Sequence, residues 1–429
     1  MTTEERACDL IDSVEKPAIL LEHRNQLIGA FHVSPRVPRS DDRPKGRADR
    51  TVDRCITIAY NEITMIFDPI TVGSLELRNP VIRSATAERL SSEAEGSPKP
   101  QLAAVYEDLA AGGVAAIVTG HCYVERNGKA HQEMSSLAAD SVVDAWAATI
   151  EPARTLGAAV IAQLNHSGAS ANQIINPYAG SPSGIPTNPE NASRALDAAE
   201  ISRVIAAFAR AARRARIAGF DGVQIHAAHG YLISQFLSPE LNIRRDEWGG
   251  SPDARRRFGV EVIQSVRGEV GDQFPLWVKL GVADHSPAGL SVAEGADVAA
   301  AFVEAGADCL EISHGLGVPE TPRAGEAVLE GPAVAVRNRV GAGVPLSLVN
   351  GLRSREECER LLRSGTVDLV SLCRPLIAEP ALLERWRAEA PNPVACVRCD
   401  RCWPDGLGVG VRCNNGAVRR LVARNAASN

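Results

Sequence analysis

Residues 218–230 read AGFDGVQIHAAHG. A glycine closes a helical run, a short apolar strand follows, and polar side chains stand where the strand runs out. In the preceding EISRVIAAFARAARRARIAG, residues Ile201, Val204, Ile205, Phe208, Ala212 and Ala215 form one helical stripe, and Gly219 stops it. The same unit recurs in AGGVAAIVTG (111–120), LGAAVIAQLN (156–165), AGADCLEISHG (305–315) and SGTVDLVSLCRP (364–375). Adding NPVIRSAT (79–86), FPLWVKLG (274–281) and VPLSLVNG (344–351) gives eight strands, each nearly continuous in apolar residues, as buried parallel strands are. A second helical pattern, SPDARRRFGVEVIQSV, opens with Ser251 as N-cap and Pro252 in its first turn. Alternating strands and helices over residues 65–390 predict an α/β fold, a (β/α)8 TIM barrel. An open doubly wound sheet is the rival, but no glycine-rich dinucleotide fingerprint follows the first strand.

The strand ends carry the chemistry in such a barrel. They read Ser84-Ala85-Thr86, Thr119-Gly120, Gln163-Leu164-Asn165-His166, His226, Lys279, Ser313-His314, Asn350-Gly351 and Cys373-Arg374. A sheet built for stability alone gains nothing from Gln, His and Lys there. After the last two strands, Gly351 permits close backbone approach, while Arg353 and Arg374 supply cations that fork onto phosphate. An ordinary turn with surface arginines is the plainer alternative. In VQIHAAHGYLISQFLSPELNIRRDEWGG (223–250), His226, His229 and Tyr231 place three proton-handling groups at the end of one strand. Zinc ligation by the two histidines lacks a third ligand nearby. Trp248 and Phe236 read as packing residues, and His166 and His314 stay outside the catalytic set.

The 429-residue chain has a formal net charge of −6, which argues against nucleic-acid binding. No apolar run reaches the roughly 18 residues of a membrane span, and MTTEERACDL lacks the pattern of a secretory signal, so the expected compartment is the cytoplasm. Residues 1–64 include the charged run RVPRSDDRPKGRADRTVDR (36–54) and are expected to be a disordered extension. Either Met65 is the biological start or the extension is a genuine flexible tail. Of ten cysteines, Cys396, Cys399, Cys402 and Cys413 cluster in CVRCDRCWPDGLGVGVRC (396–413), spaced C-x2-C-x2-C-x10-C. In a large cytosolic chain, clustered cysteines suggest metal rather than disulfides, so residues 391–429 are expected to be a short Cys-rich tail. Four thiolates suit zinc or an iron–sulfur cluster, and a tail without metal is the third reading.

The segment IHAAHGYLISQFLSPELNIRRDEWGG resembles the signature of the Old Yellow Enzyme family of FMN-dependent oxidoreductases. NPVIRSAT, AQLNHSG, VKL and LIAEP agree with that family in order, and the resemblance covers about residues 66–390. It implies that His226 and His229 bind a substrate oxygen and that Tyr231 donates a proton. It further implies that Gln163 bonds the flavin pyrimidine edge and that Lys279 stands beside the flavin N1–C2 oxygen. Ala85, Thr86 and Gly120 would pack on the isoalloxazine, and Gly351, Cys373 and Arg374 would hold the FMN phosphate. The chain departs from the pattern at Ala85, Ala87, Cys373 and Trp248, where the family has Pro, Thr or Cys, Gly, and Tyr. The tail cysteines resemble the [4Fe–4S] ligands of the dienoyl-CoA reductase and trimethylamine dehydrogenase branch, with shorter spacing and without room for a further flavin domain after Cys413.

The implied activity is reduction of an α,β-unsaturated carbonyl by an NADH- or NADPH-driven FMN enzyme. Flavin-dependent amine demethylation is one alternative. A flavin-free barrel lyase using Lys279 as Schiff-base nucleophile is another. The expected partner is a small molecule, with neither nucleic acid nor membrane; oligomeric state, substrate and choice of nicotinamide are left open.

Overall fold

The computed structural model of the protein describes residues 65–172, 174–177, 179–188, 192–317, 327–388, 393–403 and 406–427. The expectation of a disordered segment over residues 1–64 lies outside the described residues. Eight parallel strands follow the order read from the sequence: β1 Val81–Arg83, β2 Ala116–Val118, β3 Ala159–Asn165, β4 Gly222–Ala227, β5 Leu276–Gly281, β6 Cys309–Ser313, β7 Leu346–Val349 and β8 Leu369–Leu372. Each pairs with the next, and β8 pairs with β1 through Leu372 opposite Arg83, so the sheet closes into the expected barrel.

Helices cover the outside: α1 Pro100–Ala111, α2 Val143–Thr155, α3 Ala198–Ile217, α4 Pro252–Val270, α5 Val292–Glu304, α6 Glu330–Val340 and α7 Arg355–Arg363. Local chemistry sets their starts. Asp197 and Ser354 form capping boxes with Glu200 and Glu357, and the Ser251 hydroxyl accepts from the Ala254 amide. The inner stripe of α3 is buried from Ile201 to Ala215, as its periodicity requires. Short helices Arg374–Ala378 and Leu382–Arg387 follow β8, and the tail ends in Gly416–Ala427.

The two ends of the barrel differ. At the strand starts, a hairpin of Ile70–Val72 and Leu75–Leu77 sends Val72 and Leu77 into an apolar plug with Ile82, Ala116, Ile161, Trp277 and Leu369. That end is sealed by apolar burial, so the polar residues collect at the other. Trp248 and Phe236 are buried packing residues, with Phe236 stacked on Phe258 at 4.3 Å between ring centres.

Gly295 shows how closely the helices sit. A Cβ there would lie 1.8 Å from the Val282 carbonyl oxygen in the turn after β5. Helix propensity alone favours Ala over Gly by about 1 kcal/mol, whereas forced overpacking typically costs about 1–3 kcal/mol. Gly295→Ala should therefore lower the urea-unfolding midpoint; a more stable variant would show that α5 has room to move.

Candidate active site

The site is assembled where the strands end. His226 is the fifth residue of β4 and is 4% exposed. His229 adopts a left-handed backbone (φ 59) and Gly230 follows with φ 69. Such a conformation costs a non-glycine residue on the order of 1–3 kcal/mol and persists only where neighbours fix it. Here the His229 amide donates to the His314 carbonyl at 3.0 Å, and its Nε2 meets Ser313 Oγ at 2.7 Å. The turn folds the chain back, so the two imidazoles meet edge to face at 5.0 Å. Tyr231 then occupies the N-cap of a short helix, Leu232–Leu237, with its ring 5.0 Å from His226. The three residues singled out in the sequence thus form one cluster.

That cluster belongs to a longer row. His131 lies 5.5 Å from His121, which lies 5.1 Å from Tyr231 and 6.2 Å from His226. His229 continues to His314 at 4.5 Å, and His314 to His285 at 5.8 Å. Burial, reinforced by neighbouring cationic side chains, keeps the central rings neutral. His226 and His229 are held well below the usual imidazole range, and His314 at about 4. Burial also pushes the Tyr231 phenol up to about 12, so it stays protonated near neutrality. The Asn165 amide meets His121 Nδ1 at 2.8 Å; the neutral ring then accepts at Nδ1 and carries its proton on Nε2. His226 Nδ1 is buried without a hydrogen-bond partner. A buried imidazole nitrogen in that condition is the kind of group a ligand satisfies.

Inside the barrel a polar network supports this rim. Gln163 Nε2 donates to Gln224 Oε1 at 2.7 Å, and Gln224 Nε2 donates to Glu311 Oε2 at 3.0 Å. Glu311 Oε1 accepts from Ser84 Oγ at 2.6 Å, and Ser84 Oγ accepts from Lys279 Nζ at 2.8 Å. Lys279 and Glu311 form a buried ion pair at 3.1 Å. Gln224 and Glu311 lie inside the strands rather than at the ends that mark the site in the sequence, yet a Gln within GVQIHA and a Glu within CLEIS interrupt otherwise apolar runs and are a legible signal. His121 lies one residue beyond the strand end that was read.

A cavity of about 460 Å³ adjoins the network. Ala85, Lys279, His229, Gly351, Cys373 and Arg374 of the expected set line it, together with Ser84, Ser313, His314 and Arg353. Its far end is cationic, since Arg353 and Arg374 both face it. Gly351 has φ 88, a backbone conformation that favours glycine. Cys373, which replaces a family glycine, has φ −114 and needs no such freedom; its sulfur lies 3.3 Å from Thr86 Oγ1. At Gly120 a Cβ would fall 2.6 Å from the Thr86 carbonyl oxygen, so the ends of β1 and β2 meet only because this residue is glycine. Cavity size, a buried ammonium on its wall and the arginines that line it fit a flavin mononucleotide.

The tail does not meet the expectation of a four-thiolate centre. Among the described residues, no group of three or more His, Cys, Asp or Glu side chains is gathered to hold a metal ion. Cys396 and Cys402 are buried and Cys413 is half-buried, but Cys399 is exposed and its sulfur accepts from the Asn415 amide at 3.3 Å. Left-handed residues on either side, Arg398 (φ 57) and Asp400 (φ 54), account for the outward turn. His166 is a structural hydrogen-bonder: its Nδ1 accepts from the Gly168 amide at 3.1 Å. Among the described residues, no helix is long and apolar enough to cross a membrane.

The profile of the NADH:flavin oxidoreductase / NADH oxidase family matches residues 65–392, and the chain belongs to that family. An NADPH dehydrogenase of Geobacillus sp. (strain WCH70) is 33% identical over 74% of this chain and 92% of its own length. A metal reductase of Desulforamulus reducens is 31% identical over 79% of this chain, which spans only 51% of that longer protein. A solved Old Yellow Enzyme homologue from Zymomonas mobilis superimposes with a TM-score of 0.67 at 24% identity, over 78% of this chain and 95% of its own, and shares the barrel. The flavin- and nicotinamide-linked oxidoreductase class expected from the sequence is the class of this family.

The neutral imidazoles carry a pH dependence. His121 is held at about 3 and His131 at about 4, against 6.5 ordinarily, chiefly by burial. Between those values and 6.5 the unfolded chain binds more protons than the fold. Their contribution to stability is therefore complete above pH 6.5 and is lost as pH falls towards 4 and then 3. The urea midpoint should fall between pH 7 and pH 4.5, and His121→Phe should make that fall smaller. Equal falls in the two proteins would show that the ring is not kept neutral.

Proposed function

We propose that this protein reduces the C=C bond of an α,β-unsaturated carbonyl, using FMN and a nicotinamide donor, NADH or NADPH. The observation that carries this reading is the cluster of His226, His229 and Tyr231, in which neutral imidazoles and a protonated phenol pack ring to ring and His229 lines the cavity. FMN, when bound, supplies hydride transfer. Ala85, Thr86, Gly120, Gln163 and Lys279 would hold its ring end, and Gly351, Cys373 and Arg374 its phosphate.

The residues of the chain do the rest. His226 and His229 donate hydrogen bonds to the substrate carbonyl oxygen, where negative charge develops as the alkene is reduced. Their neutrality suits this: each offers a directed N–H without placing a fixed charge in a buried site. Ser313 orients His229 through the 2.7 Å contact at Nε2. Tyr231 delivers the proton to the α-carbon, and its raised pKa keeps that proton in place until the carbon becomes basic. Lys279 brings a positive charge to the cavity wall, with Glu311 and Ser84 fixing its position.

The flavin-free lyase alternative loses its footing with the family membership, and Lys279 is engaged by two buried partners rather than presented for carbonyl addition. Amine demethylation uses the same cofactor and is separated by experiment. Protein reconstituted with FMN should be bleached anaerobically by NADPH or NADH and recoloured by an enone such as cyclohexenone. Bleaching by N-methylated amines but by neither nicotinamide would replace this reading with the oxidative one. Tyr231→Phe should slow enone reduction by about 10²–10⁴-fold while reduction of the flavin changes little; equal slowing of both steps would remove Tyr231 from the proton-donor role.

A further inference from the structure

The Cys-rich tail is not merely appended to the barrel. The Val394 amide donates to the Arg353 carbonyl at 2.9 Å, and Arg353 Nη2 donates to the Cys396 carbonyl at 2.8 Å. Arg374 Nη1 forms an ion pair with Asp400 at 2.6 Å. Further on, the Val411 amide donates to the Glu88 carbonyl at 3.0 Å. These bonds bring Val394, Cys396, Arg398 and Asp400 onto the wall of the same cavity that holds Lys279 and Ala85.

Arg398 is the consequential member. Its left-handed backbone (φ 57) sets a half-buried side chain at the end already occupied by Arg353 and Arg374. The three guanidiniums are near enough for Arg353 and Arg374 to repel Arg398. Among the described residues, Asp400 is the one carboxylate lining this cavity. Three guanidinium forks lining one cavity can each present paired N–H donors to an anion, and a phosphate monoester carries roughly −1.5 to −2 near neutral pH.

We infer that Arg398 is a third phosphate-binding arginine, contributed by the Cys-rich tail to the cofactor end of the barrel. The inference rests on the flavin reading above and adds to it: the tail is part of the FMN site, and its hold acts on the phosphate rather than on the ring. Asp400 is the internal counter-ion of Arg374 and shares that arginine with the incoming phosphate.

Riboflavin, which lacks the phosphate, separates the two ends of the site. Affinities for FMN and riboflavin would be measured by fluorescence quenching in the full chain and in Arg398→Ala. The parent should prefer FMN, and the preference should shrink as salt is raised. Arg398→Ala should weaken FMN by about tenfold or more and leave riboflavin unchanged, which also certifies that the variant is folded. Arg398→Lys, with charge but no fork, should recover part of the loss. Unchanged FMN affinity in Arg398→Ala, or equal weakening for both flavins, would overturn the inference while leaving the flavin reading intact. A parent that takes up neither flavin would overturn the reading beneath it.

Discussion

The upper half of the barrel depends on a buried ion pair between Lys279 and Glu311. Both are about 3% exposed, and the desolvation of each is tolerable only because the other is present. Removing either partner would strand a charge in the core, at a cost on the order of 3–5 kcal/mol. The pair is not isolated. Ser84 bridges its two halves, and Gln224 passes its orientation on to Gln163. Strands β1, β3, β4, β5 and β6 are thereby tied together by side chains as well as by their ladder. Each side chain in the run from Gln163 to Lys279 has a hydrogen-bonding partner, which favours one arrangement of the interior over several.

The rim is built on a different principle. Its central imidazoles pack closely and are held without charge, with His121 and His226 buried, and the left-handed turn at His229 is what brings the second ring back beside the first. The strain of that turn is borne by backbone and side-chain bonds to residues 313 and 314, at the end of the strand that also carries Glu311. Interior network and rim therefore share β6. A disturbance of Glu311 would be felt at His229 through the strand between them.

What could be read in the sequence followed from how local each signal is. The barrel was legible because a glycine-stopped helix followed by an apolar strand is written in consecutive residues, and β4 shows this within AGFDGVQIHAAHG. His226 and Tyr231 were legible because a strand end projects its side chains at the rim. The pairing of His121 with Asn165 was not, since it depends on how β2 lies beside β3. Glu311 was visible as a charge within an apolar strand, but its partner Ser84, five strand-and-helix units away, was not. The cysteine spacing says less than it suggests. Counting residues assumes that each thiol faces inward, whereas Cys399, between two left-handed residues, is exposed.

The cavity has an uneven distribution of charge along its length. Its wall includes the uncharged rings of His229 and His314 and the guanidiniums of Arg353, Arg374 and Arg398. An elongated molecule with a neutral head and an anionic foot gains energy in only one of the two ways it could slide in. Direction of entry is thus decided by long-range attraction to the foot before any short-range fit is tested. The head then arrives where the Lys279 ammonium is already paired with Glu311, and discrimination falls to shape and to the angles of individual N–H bonds.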